Sequence, residues 1–378
     1  MIVSRPIPAS QSEPGDVPGA EGRIVPKPRR KGRAAASNAS GRYEAQRREL
    51  IDDGWDGLEE GSALATDVTL EHPKTILTRN TSPDISFDRS INPYRGCEHG
   101  CIYCFARPTH AYQGLSPGLD FETKLFAKPN AARLLEKELS KPGYVVKPVA
   151  IGTNTDPYQP IEKRYRLMRE ILEVLDAFNH PVTIVTKSAR VTRDLDLLQG
   201  MAERGLAKVA VSVTTLDAKL ARRMEPRAST PARRMEAIGL LADAGVPTGV
   251  MVAPVIPGLT DAEMEKILTG AASQGAGFAS YILLRLPLEI KDLIREWLEE
   301  AAPAKASRVL TLLREMRGGK DYDAEWGKRM RGDGPFAWQL QRRFDIASRK
   351  LGLNQAEAKL DCARFAVPPK PGDQLSLF

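Results

Sequence analysis

With 378 residues, 42% of them hydrophobic, the chain is long enough to bury a substantial core, which excludes a minimal or fully disordered protein. Its formal charge of +7 is uneven: residues 1–50 hold ten Lys or Arg against five Asp or Glu, leaving the body nearly neutral. Four cysteines, three of them within eight positions, are no even disulfide framework of a small secreted domain. The amino terminus lacks the apolar core of a signal peptide and no run of about 18 apolar residues occurs, so the reading is a cytoplasmic protein.

Residues 1–60 read as a basic, largely disordered arm. Its centre, "PKPRRKGRAAASNASGR", is rich in Pro, Ser, Gly and Arg without apolar periodicity. Such an arm either contacts phosphates, with strong salt dependence, or simply aids solubility.

The stretch "NPYRGCEHGCIYCFARPTHAY" (92–112) concentrates Cys97, Cys101 and Cys104 in a C-x3-C-x2-C pattern. A structural zinc site commonly uses four protein ligands, and the fourth here would have to be His99, His110 or the distant Cys362. Three thiolates also suit an iron–sulfur cluster with one open iron, which points to chemistry rather than stapling. His99 reads as a loop residue covering the site. His110 and Tyr112 follow closely enough to shield it or touch a substrate, and "LDFETKLFAKP" reads as a short strand buttressing the loop.

From about residue 130 the chain alternates apolar runs with helically spaced segments. "VVKPVAIGTN", "PVTIVTKS", "AKVAVSVTT", "PTGVMVAPVIPG" and "FASYILLRLP" are the strands. "KRYRLMREILEVLDAF", "VTRDLDLLQGMAERG", "TPARRMEAIGLLADAG", "DAEMEKILTGAASQ" and "EIKDLIREWLEEA" are the helices. Near-continuous apolar strands alternating with helices predict a parallel sheet, a barrel or part of one, with functional residues at the carboxyl ends of the strands. Those ends read "TNTDPYQP" (153–160), "TKS" (186–188), "SVTT" (212–215) and "APVIPGLTD" (253–261). Asn154, Asp156 and Tyr158 are polar groups on that rim, suited to ligand contact or to capping a turn.

Residues 301–366 read as a helical extension, built on "AKASRVLTLLREMRGGKD" and "PFAWQLQRRFDIASRKLGL". Arg329, Arg331 and Trp338 offer charge and stacking for nucleic acid, or the helices cap the barrel mouth. Cys362 reads as an inert thiol among apolar residues. A Pro/Gly-rich tail, 367–378, ends in "QLSLF", similar to the short motif by which bacterial replication and repair proteins dock on the DNA sliding clamp. Gln374 is the polar anchor of that motif, and Leu375, Leu377 and Phe378 its apolar contacts.

"CEHGCIYC" resembles the cysteine signature of radical S-adenosylmethionine (SAM) enzymes. Over residues 92–272 the resemblance is to the spore photoproduct lyase-like, DNA repair photolyase-related branch. It implies an α/β fold, a partial (β/α)6 barrel over 61–300, with a [4Fe–4S] cluster on Cys97, Cys101 and Cys104. SAM would bind the open iron and be cleaved reductively to a 5′-deoxyadenosyl radical. The resemblance further implies Tyr103 against the adenine, Lys187 on the SAM carboxylate, Ser212 hydrogen-bonded to SAM and the Ala253 backbone near the adenine. A reducing partner such as flavodoxin or ferredoxin is expected, and a nucleic-acid substrate. One departure is plain: the lyase has a hydrogen-donating cysteine at the end of its second strand, and "AIGTNTDPYQP" has none. The runner-up readings are a tRNA- or protein-modifying radical SAM enzyme and a clamp-tethered Fe–S or zinc protein without catalysis.

Overall fold

The computed structural model describes residues 2–6, 32–44, 46–50, 64–356 and 359–369. The expected clamp-motif residues Gln374, Leu375, Leu377 and Phe378 lie outside the described residues.

Six strands run parallel and lie in chain order across one sheet: β1 Arg89–Ile91, β2 Val149–Ile151, β3 Val182–Thr186, β4 Ala207–Ser212, β5 Thr248–Val255 and β6 Phe278–Leu283. A seventh, Leu77–Arg79, pairs antiparallel with β1 at the edge. β2 is buried throughout and β4 nearly so, which is why both read as unbroken apolar runs. The fold is therefore mixed α/β with a mainly parallel sheet.

Helices follow the strands and bury one face each. In Leu167–Ala177 the residues Leu167, Met168, Ile171, Leu172 and Leu175 face the core. The segment expected as one helix from Lys163 breaks at Arg166, which has φ of 53°, into a short helix Glu162–Tyr165 and this longer one. "VTRDLDLLQGMAERG" likewise opens as a 3-10 turn, Ala189–Asp194, before the helix Leu195–Glu203. Helix Ala218–Met224 was not anticipated. It is short, and its start is set by Asp217, whose carboxylate accepts from the Lys219 and Leu220 N–H groups.

A second sheet supports the cysteine loop. Its central strand, Lys124–Ala127, pairs parallel with Asp67–Leu70 and antiparallel with Tyr94–Arg95, giving the buttress expected in "LDFETKLFAKP" after a short helix, Leu119–Thr123.

The first sixty residues depart from a free arm in two places. Ile2–Pro6 pairs antiparallel with Gln46–Leu50. Arg33, Ala34 and Ala35 are buried, with the Ala34 and Ala35 N–H groups donating to Glu122 at 3.2 and 3.0 Å. Small side chains and a carboxylate partner do here what apolar periodicity does elsewhere, so the packing left no periodic trace in the sequence.

Helix Pro335–Lys350 covers an edge of the sheet, while Arg308 and Leu312 of helix Pro303–Glu315 lie beside Gly258 in the loop after β5. Helix Pro335–Lys350 packs on helix Met264–Ser273, with Phe344 5.0 Å from the Tyr281 ring of β6. The Asn354 side chain bonds the Ala279 N–H and C=O, and the Met330 carbonyl accepts from the Leu283 N–H, so the free edge of β6 is satisfied locally. Among the described residues no helix is long and apolar enough to cross a membrane.

Candidate active site

Strand register brings the carboxyl ends together. Ile91 is level with Ile151, Val211 with Thr186 and Ser212 with Met251, so the residues that follow these strands emerge side by side. Gly152, directly after β2, has φ of +89°, and a Cβ there would run into the Val185 carbonyl. Only glycine allows the β2 end to turn so close to β3.

The cysteine loop leaves β1 onto this rim. Cys97, Cys101 and Cys104 are free thiols, the first two buried and the third half-buried. Arg107, wholly buried, holds the loop: its guanidinium donates to the carbonyls of Gly100 (3.0 Å), Cys101 (2.8 Å), Pro117 (3.0 Å) and Gly118 (2.9 Å) and to Glu122 (2.5 Å). Gln159 grips the other side, accepting from the Glu98 N–H at 2.8 Å and donating to the Gly96 carbonyl at 3.2 Å. Glu98 in turn accepts from Thr66 and Arg227. Burial pushes the Cys97 and Cys101 thiols up, and the nearby Asp156 and Glu225 carboxylates add to this, so as free thiols both stay protonated. A bound metal would reverse that preference, because metal-ligating cysteines are deprotonated. Among the described residues no group of three His, Cys, Asp or Glu is placed to hold a single metal ion.

Lys187 follows β3, with its Nζ 5.7 Å from the Tyr103 ring centroid and its charge favouring the Cys101 thiolate. Among the described residues the ammonium makes no ion pair. Tyr103 is buried and its hydroxyl is committed: it donates to Glu225 and lies 3.1 Å from the Thr214 hydroxyl. Only its ring and backbone remain for a ligand. The Thr214 hydroxyl donates to Glu225 (2.7 Å) and lies 3.3 Å from the Ala253 carbonyl, and Glu225 is ion-paired with buried Arg234. Arg234 donates to the Ser212 carbonyl at 3.1 Å. One polar network thus links Tyr103, Ser212 and Ala253, three positions singled out in the sequence, through Thr214, Glu225 and Arg234, which were not. Ala253 precedes a cis proline.

Asp156 acts as a strut. Its carboxylate accepts from the Thr186 hydroxyl (2.7 Å), the Lys187 N–H (2.7 Å) and the Tyr158 N–H (2.9 Å), and His99 Nδ1 faces it at 3.4 Å, an ion-pair distance. Burial opposes the charge, yet His99 and these donors hold the carboxyl at about 2. Asn154 is half-buried, its N–H on the Asn92 side chain at 3.2 Å. Tyr158 is buried, with its hydroxyl on Asp194.

The remaining candidates fall outside the site. Tyr112 is 67% exposed and stacks on Tyr43, so it shields nothing. His110 is buried edge-on against Phe121 at 5.5 Å, and burial lowers it to about 4, so it is neutral near pH 7. Cys362 sits at the opposite end of the sheet, because neighbouring Asp361 and Ala366 bond Gly205 and Phe178, which precede β4 and β3. It is remote from the rim. Arg329 is tied to Asp84 and Ser82, and Arg331 lies 4.2 Å over the Tyr281 ring, which leaves Trp338 alone exposed in the expected nucleic-acid triad.

Residues 91–269 match the family model of the Radical SAM superfamily. An uncharacterized protein of Mycobacterium tuberculosis (strain H37Rv) is 40% identical over 232 residues, 61% of this chain and 68% of that protein. An uncharacterized protein of Methanocaldococcus jannaschii is 27% identical over 173 residues, 46% of this chain and 62% of that protein. The chain belongs to the radical SAM superfamily; it is an enzyme whose cofactors are a [4Fe–4S] cluster and SAM. Its fold is like that of spore photoproduct lyase complexed with dinucleoside spore photoproduct, with a TM-score of 0.53 at 16% identity over 76% of this chain and 80% of that one. A lyase mutant with bound AdoMet and the same dinucleoside aligns equally well, with a TM-score of 0.53 at 17% identity and the same coverage.

Proposed function

We propose that the rim is the catalytic centre of a radical SAM enzyme acting on nucleic acid in a DNA-repair-like role, with β1 to β6 forming a partial (β/α)6 barrel. Cys97, Cys101 and Cys104 hold the cluster. When bound, the cluster and SAM supply a 5′-deoxyadenosyl radical by reductive cleavage of SAM. The protein's own part is positioning: Lys187 offers a charge-assisted contact to the SAM carboxylate, the Tyr103 ring a surface for the adenine, and Ser212 and the Ala253 backbone further contacts. Asn154 lines the same rim, and Asp156 serves it by fixing the Lys187 backbone.

The observation that carries this reading is the Lys187 ammonium, without an ion-pair partner among the described residues, set 5.7 Å from the Tyr103 ring on the cysteine loop. A cation without an ion pair, close enough to Cys101 to favour its thiolate, fits an anionic ligand placed against the cluster. The second strand ends in Gly152, Thr153 and Asn154 without a cysteine, so the reading does not extend to hydrogen return from that position. The substrate class is tested by mass spectrometry of nucleosides from DNA and RNA of cells with and without the protein. A nucleoside that accumulates or disappears is expected, and identical profiles would leave a protein substrate in its place.

The tail "QLSLF" supports a partner, the bacterial DNA sliding clamp. Ordering a flexible peptide offsets part of the burial gain, so the expected dissociation constant is on the order of micromolar. A labelled peptide of residues 367–378 should show this by fluorescence anisotropy; absence of binding at about 100 μM clamp, some hundredfold above that, removes the clamp from the account.

A further inference from the structure

Phe105, the residue after Cys104, is 45% exposed on the rim. An aromatic side chain left in water there has no packing reason within the fold. Arg285, two residues beyond the end of β6, brings its guanidinium to 5.0 Å from the Phe105 ring centroid, covering one face of it. Its hydrogen bonding is poor: Nη1 meets the Met330 thioether at 3.3 Å, a weak acceptor, and Nε is buried without any partner. Among the described residues it makes no ion pair. The neighbouring arginines differ. Arg317 donates to the Lys328 and Leu284 carbonyls, and Arg329 is paired with Asp84. Arg285 is thus a fork-shaped donor with its strong hydrogen bonds unmade, beside a ring with one open face, next to the cysteine loop.

We propose that Phe105 and Arg285 are the recognition pair for one nucleotide of the substrate, a phosphate taken by the guanidinium and a base stacked on the open face of the phenyl ring. The proposal rests on the nucleic-acid reading above. Planar bidentate donors match phosphate oxygens, and base–aromatic stacking tolerates any base. The ligand chemistry is therefore an unpaired nucleotide in a single strand or a splayed-out base, since a base stacked within a duplex has no free face.

The test uses the full chain, reconstituted with its cluster under anaerobic conditions, and a fluorescein-labelled single strand of about twelve nucleotides, within the usual site size. Anisotropy is followed across a salt series. Arg285→Ala should weaken binding about tenfold or more, the usual effect of losing a hydrogen bond to a charged group, and flatten the log–log salt slope by about 0.7, one phosphate contact. Arg285→Lys should keep the slope and lose part of the affinity. Phe105→Ala should weaken binding about tenfold, while Phe105→Tyr keeps the stacking surface and the affinity. Iron content and melting temperature serve as controls for folding. Wild-type affinity and slope in both alanine variants would overturn the pair while leaving nucleic acid as the substrate, with the basic arm as its contact. Failure of the wild-type protein to bind the strand would remove the nucleic-acid reading and this pair together.

Discussion

Replacing any one of Cys97, Cys101 and Cys104 by alanine is expected to leave protein that holds no [4Fe–4S] cluster and no longer converts SAM to 5′-deoxyadenosine. Three thiolates with one open iron leave no spare ligand. Of the nearby imidazoles, His99 faces Asp156 and His110 packs edge-on against Phe121, and among the described residues neither joins the cysteines in a metal-holding group. The wild-type protein, reconstituted anaerobically, should contain about four irons and four sulfides per chain. Folding should survive the change, because the loop is held by Arg107 and Gln159 rather than by the thiols. Iron and sulfide analysis beside thermal melting checks both halves: cluster retained at wild-type levels in all three variants would show that other residues hold it.

Arg107→Ala should be the most damaging substitution for the apoprotein. It removes five hydrogen bonds from a fully buried guanidinium and leaves Glu122 charged and without its ion-pair partner in the interior. Breaking a buried pair from one side costs about 3–5 kcal/mol, which for a protein of this size lowers the melting temperature by roughly 4–6 degrees. Glu122 also receives the Ala34 and Ala35 N–H groups, and its backbone carbonyl accepts from Arg33, so the amino-terminal segment should loosen in the same variant. Arg107→Lys keeps the charge but cannot span four carbonyls, and should fall between the two. Calorimetry of the apoproteins decides this; an unchanged melting temperature for Arg107→Ala would mean that the loop is held by its other contacts.

What was legible in the sequence follows from what each signal depends on. The parallel strands announced themselves because β2 and β4 are covered on both faces and must be apolar without interruption. The cysteine loop was legible because its candidate ligands are contiguous in the chain, and Lys187, Ser212 and Ala253 because each lies at or near the carboxyl end of a strand. The residues that support them were not. Glu225 and Arg234 lie 122 and 131 positions beyond Tyr103, in a stretch, "MEPRASTPARRM", that resembles any solvated helix start. Arg107 looks like one more surface cation until its four carbonyl partners converge on it. Residues 33–35 leave no such signal, because their packing uses backbone donors and small side chains rather than periodic apolar ones. Asp156 lies on that rim, but the donors that converge on its oxygens, from Thr186, Lys187 and Tyr158, come together only in the fold.

The rim's assignment stands or falls on whether SAM meets the cluster there. Electron paramagnetic resonance of the reduced, reconstituted full chain, recorded with and without SAM, tests this most directly. The account predicts a cluster signal that changes when SAM is added, and a Lys187→Ala protein that carries the same iron but needs a SAM concentration at least tenfold higher for that change, the loss of one hydrogen bond to a charged group. Stoichiometric zinc with no iron uptake, or a cluster signal indifferent to SAM, would contradict it.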